Sequence, residues 1–97
     1  MIVAVLTVEL AIFEAQSLKD KRRVVSGLKQ RLRNRFNVSV AEVGYADAPK
    51  RCRLGVAMVS SGAGGGSGVV HSQLDKVVEM VRRTGGLSLL EYDRKLL

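Results

Sequence analysis

Several residue types are scarce in this sequence, and each shortage removes a class of protein. Cys52 is the only cysteine. No intrachain disulfide can form, which fits a reducing, cytoplasmic compartment. With one cysteine and one histidine, His71, there is no ligand set at metal-binding spacing, and no metal or cofactor is expected. Tryptophan is absent, and Phe13, Phe36, Tyr45 and Tyr92 are the only aromatics. A sheet that stacks bases on aromatic side chains is therefore disfavoured. No apolar run approaches the roughly 18 residues of a membrane span. The apolar opening, MIVAVLTV, has no basic segment before it and meets Glu9 at once, so it does not read as a signal peptide.

What remains is an ordinary globular composition. The chain is 46% hydrophobic and 26% charged over 97 residues, which suits one domain spanning residues 1–97. The charge is unbalanced, at 16 Lys and Arg against 9 Asp and Glu, for a formal net charge of +7. It is also localised. The segment Ser17 to Phe36, SLKDKRRVVSGLKQRLRNRF, holds Lys19, Lys21, Arg22, Arg23, Lys29, Arg31, Arg33 and Arg35, with Asp20 its one acid. The rest of the chain is electrically balanced. A pI near 10.2 favours anionic partners such as nucleic acid, anionic lipid or acidic protein.

Periodicity gives the elements. In residues 2–12 every even position is apolar, while the odd positions turn from apolar to polar, the pattern of a strand with one buried face. Ser17 is a good N-cap, with Asp20 in the place of a capping-box acid. A helix follows from about Leu18 to Arg33, with Leu18, Val25 and Leu32 at heptad spacing and Val24 and Leu28 widening the stripe. Arg22, Lys29 and Arg33 flank one side of it, Arg31 and Arg35 the other, and Arg23 points outward. Lys21 falls inside the apolar arc and is expected to snorkel past the end of the sheet. Gly27 sits near the outward pole. Asn37 is the expected left-handed helix stop.

Residues 38–45 read as a second strand, 46–51 with Pro49 as a turn, and 52–60 as a third, almost wholly apolar strand. The glycine-rich loop SGAGGGSG, 61–68, leads to a helix over 69–83 in which Ser67 is the expected cap. Gly85 and Gly86 stop that helix. A last strand covers about 87–93, and residues 94–97 read as a tail. The order β-α-β-β-α-β is the ferredoxin-like arrangement, an α+β fold with a four-stranded antiparallel sheet and two helices on one face. It makes the two most apolar strands central and puts Glu42, Glu91 and Asp93 on the edges.

The sites of possible chemistry are weak. The loop at residues 62–68 has neither a Lys-Ser/Thr nor a complete G-x-G-x-x-G, so it reads as a plain connection. Arg51 and Arg53 beside Cys52 would lower its pKa, but a small packing residue is the preferred reading. His71 reads as a surface residue. Glu9, Glu42 and Glu91 lack the signature of a cleft that would split paired carboxylate pKa values. No enzyme is expected.

The cationic helix is the stronger signal. Lys29 with Arg33, and Arg31 with Arg35, are like charges at i, i+4, which repel unless an anion is bound. The expected nucleic-acid-binding set is Lys19, Arg22, Arg23, Lys29, Arg31, Arg33 and Arg35. Phosphate contact by a helix recognises shape more than sequence, which suits structured RNA better than a specific DNA site. On the open sheet face, Val3, Val5, Ala57 and Val59 form the expected interface of a homodimer packed sheet to sheet. A protein-interaction adaptor using that face is the alternative function.

The segments QSLKDKRR (16–23), RNRFNVSVAEV (33–43) and LGVAMVS (54–60) resemble the YlxP-like family of small uncharacterised bacterial proteins, over nearly the whole chain including the closing EYDRKLL. The resemblance implies a ferredoxin-like fold. It also implies a link to ribosomes, since members are commonly encoded near ribosome-binding factor A. The stretch DAPKRC departs from the family in lacking a Trp-containing segment, and the glycine loop is richer in glycine.

Overall fold

A computed structural model describes all residues, Met1–Leu97. The chain forms β1 (Ile2–Ile12), α1 (Leu18–Arg35), β2 (Val38–Gly44), β3 (Arg51–Ser60), α2 (Ser67–Arg82) and β4 (Leu87–Leu96). The strands make one antiparallel sheet in the order β2-β3-β1-β4. β1 and β3 are central, as their near-continuous apolar sequences require. This is the ferredoxin-like α+β fold. Ala4, Leu6, Val8, Leu10 and Ile12 of β1 and Cys52, Leu54, Val56 and Met58 of β3 are buried beneath the helices. They meet Val25, Leu28 and Leu32 of α1 and Val70, Leu74, Val77, Val78 and Val81 of α2 in one core of 20 residues.

Local chemistry sets the start of α1. The Ser17 hydroxyl accepts from the Asp20 amide at 3.2 Å, and the Asp20 carboxylate accepts from the Gln16 amide at 3.1 Å. The two bonds satisfy amides at the end of the helix, as a capping box does. Four expectations change. Helix α1 runs one half-turn further, to Arg35, and ends on Phe36 in extended backbone with its amide on the Leu32 carbonyl. Asn37 is not left-handed, since Tyr45, at φ 61°, is the one non-glycine residue with positive φ. Ser67 is the first residue of α2 and does not cap it; Gly66 holds the N-cap position without a side-chain bond. Residues 94–96 are strand and not tail, because they pair with Ala4, Val5 and Leu6. Their polar residues are compatible with an edge strand, where one face meets water.

Lys21 is the largest departure. It is 1% exposed and does not snorkel. Its ammonium donates to the Tyr45 carbonyl at 2.6 Å and lies 2.7 Å from Glu42 Oε2. A carboxylate and a carbonyl at the end of β2 receive the charge where water was expected to.

Candidate nucleic-acid interface

Both helices lie on one face of the sheet, and since β1 and β3 are antiparallel, the helices that follow them are antiparallel too. The cations of α1 therefore fall into three groups with different surroundings. Lys19, Arg22 and Arg23 are exposed. Lys29 and Arg33 lie on the flank toward β2; Lys29 is half-buried, and Arg33 Nη2 donates to the Val40 carbonyl at 2.7 Å. Arg31 and Arg35 lie on the flank toward α2.

That last flank lines an open groove of about 750 Å³ between the helices. Arg31 and Arg35 face Lys76 and Arg83 of α2 across it, and Phe36 and Met80 supply its apolar part. Glu79 is the only acid, and it is engaged by Arg83 Nε at 3.1 Å. Arg31 reaches Thr84 Oγ1 at 3.5 Å. Four cations against one acid, on a concave surface between low-dielectric helices, concentrate positive potential there. The structure thus brings two of the seven expected residues together with two that sequence reading missed. Lys76 and Arg83 are seven residues apart, on one side of the apolar stripe of α2. Projecting that helix beside an antiparallel α1 would have found them.

The other candidate residues are occupied or remote. Cys52 lies beneath the helices, on the sheet face opposite Arg53. Burial, and then the negative charge of Glu42, push its thiol up from 9.0 to about 12, against the opposing pull of Lys21 and Lys29. The expected lowering by Arg51 and Arg53 does not occur. Side chains alternate across the sheet, so these neighbours in sequence point away from it.

Glu9 and Glu91 are cross-strand partners on the open face, but Glu42 is on the helix side. Arg53 bonds Glu9 through Nε at 3.0 Å and again through Nη2, and its guanidinium lies over the Tyr45 ring at 5.2 Å. Glu9 holds the Arg53 guanidinium above its ordinary value. His71 is exposed, its ring Nδ1 3.4 Å from Arg94 Nη1. No three His, Cys, Asp or Glu side chains converge as metal ligands would. The glycine loop takes positive φ at Gly62, Gly64, Gly65 and Gly66, which accounts for its composition through backbone geometry.

On the open face, Val3 pairs with Val59 and Val5 with Ala57, so the four expected interface residues do lie together. They occupy one end of the face. Lys95 stands beside Val5; Glu9, Arg53, Glu91 and Asp93 make the other end of β1, β3 and β4 polar; and Val43 of β2 adds an exposed apolar side chain over Gly55.

A ferredoxin-like α+β domain with a cation-lined helical layer is the class that this geometry defines. The chain belongs to the family described as "Protein of unknown function (DUF503)", whose model matches residues 3–94, from β1 into β4. It is similar to "Uncharacterized protein YlxP" of Bacillus subtilis (strain 168), with 47% identity over 53 residues. That match covers 55% of this chain and 58% of the relative, so it spans little more than half of either. The resemblance read from the sequence is thereby borne out. No helix is long and apolar enough to cross a membrane.

Proposed function

We propose that this protein is a cytoplasmic, non-enzymatic binding module for structured RNA, with ribosomal RNA the first candidate. One observation carries the reading: Arg31, Arg35, Lys76 and Arg83 converge on a groove whose single acid is already paired. Guanidinium groups suit phosphate because their planar donors match its oxygens two at a time. The exposed Lys19, Arg22 and Arg23 extend the positive surface toward the other end of α1. The engaged state of Glu9 and the raised pKa of Cys52 also favour binding over catalysis. The ribosomal assignment rests on the family resemblance alone.

The test is a filter-binding titration with duplex RNA and with ribosomal subunits over a salt series. Affinity falls with salt, with a log–log slope of roughly −0.7 to −0.9 per phosphate neutralised. Absence of binding at low salt overturns the reading. A partner that persists after nuclease treatment favours the adaptor reading, with Val3, Val5, Ala57 and Val59 as its surface.

A further inference from the structure

The two edges of the sheet are treated differently. On the β2 side, Arg33 donates to the Val40 carbonyl and Lys21 to the Tyr45 carbonyl, so α1 covers part of that edge. On β4, the side-chain bonds are those of Arg94 to His71 and to Asp75, and all of them lead to α2. No side chain bonds the backbone of β4. Its outer row of amides and carbonyls is open over a strand of 10 residues without proline. An edge of that kind is a template for another strand.

The sequence of β4 is complementary to itself. Set antiparallel to a second copy about a two-fold axis at Asp93, the strand places Glu91 opposite the partner's Lys95, twice by symmetry. Tyr92 faces the partner's Arg94. Leu90 is the bulged residue of β4, and beyond it Leu89 lies on the helix side of the sheet, as does the partner's Leu96. Asp93 meets its own copy, the one like-charge pair, exposed to water and flanked by lysines. An axis at Tyr92 would set Glu91 against the partner's Asp93. An axis at Arg94 would set Asp93 opposite the partner's Lys95, twice, but would bring two guanidiniums together and put Glu91 opposite a leucine. Charge therefore excludes the axis at Tyr92, because opposite charges facing each other across strands attract and like charges repel. Of the other two, the axis at Asp93 is the one that leaves no charged side chain opposite a leucine.

A second feature fits the same register. Beside the first half of β4 is an open pocket of about 550 Å³, lined by Phe13, Leu87, Leu89, Leu90 and Tyr92 among others. Phe13 is 61% exposed and Leu90 48%. The register brings the partner's Leu96, on the same face as Leu89, to this pocket. Burying part of the apolar surface that each copy leaves in water here supplies the driving force.

We propose that this protein pairs with a second copy of itself through the β4 edge, antiparallel about Asp93, with Leu96 of each copy beside Leu89 of the other. The two sheets then continue as one of eight strands. A two-fold axis perpendicular to the sheet leaves all four helices on the same side, so the two cationic grooves face one way. The pairing itself does not depend on RNA binding.

Analytical ultracentrifugation of the full chain, from about 1 µM to about 1 mM, measures the association. The wild-type chain dimerises as concentration rises. Glu91→Lys and Lys95→Glu each weaken the dimer about tenfold, since each turns two attractive pairs into repulsive ones. An equimolar mixture of the two variants associates again, because both pairs between positions 91 and 95 are then opposite in charge. Circular dichroism confirms that both variants are folded. A chain that stays monomeric throughout overturns the proposal. So does a dimer that is indifferent to both substitutions and lost on Val59→Asp, which would place the contact on the open face.

Discussion

Lys21 Nζ lies 2.7 Å from Glu42 Oε2, and this pair pins the first turn of the cationic helix to the end of β2. Lys21 has 2% of its side chain exposed and Glu42 has 24%. The same ammonium holds the carbonyl of Tyr45, where the backbone turns through a left-handed residue. An ion pair of this kind contributes more to geometry than to net stability, because desolvation offsets much of the attraction.

Removing one partner is therefore costly, and removing both is cheaper. Lys21→Met should destabilise the fold by about 2 kcal/mol, less than a fully buried pair because Glu42 keeps some contact with water. Lys21→Met with Glu42→Leu should recover most of that loss. Urea denaturation of the four proteins of the cycle measures it. Equal and additive losses would show that the pair is not coupled.

The cations of α1 should separate by role. Arg33→Gln removes the bond to the Val40 carbonyl, so it should lower stability by about 1 kcal/mol. Lys76→Gln with Arg83→Gln should leave stability within about 0.5 kcal/mol of wild type. The latter pair should reduce RNA affinity and flatten its salt slope by about 2 phosphates. Thermal melts and filter binding on the same samples make the comparison.

Cys52 should be inert when the protein is folded. Its thiol titrates near 12, raised from 9.0. In the folded state the proton is held more tightly, so this group's contribution to stability is complete below pH 9. It is lost progressively as the pH rises from 9 to 12, where the unfolded chain releases the proton first. Cys52→Ala should remove that part of the alkaline slope, as measured by urea denaturation between pH 8 and pH 10. Labelling of Cys52 by a thiol reagent at pH 8 should speed up with added denaturant, because access requires opening of the core.

Gly27 sits in the interior of α1, and a Cβ added there would meet only Arg31 Nη1, at 3.7 Å. Gly27→Ala should stabilise the protein by about 0.5–1 kcal/mol, the difference in helix propensity. Thermal unfolding reads the gain. Unchanged RNA affinity would show that the ligand does not approach the helix backbone at this point.

Much of this molecule was written in local patterns. Alternation in β1 and β3, the Ser17–Asp20 cap and the stripe Leu18-Val25-Leu32 each act over a few residues, so they specify strand, helix and order. Together with the right-handed crossover they specify the ferredoxin-like fold. The concentration of positive charge between Ser17 and Phe36 is likewise a property of the chain.

Three things were decided only by the tertiary structure. Lys21 looked like a residue seeking water, because Glu42 lies 21 positions away and its phase on β2 was ambiguous. Arg31 and Arg35 already fall on the flank away from Arg33 in the sequence, but nothing local says what that flank meets. Helix packing turned that flank toward Lys76 and Arg83. Residues 94–96 looked like a tail, since a charged edge strand carries little apolar signal and its pairing with β1 is set by partners some 90 positions away. In each case the decisive partner is distant in sequence. Periodicity reports which face of an element is buried, but not which residue on another element will meet it.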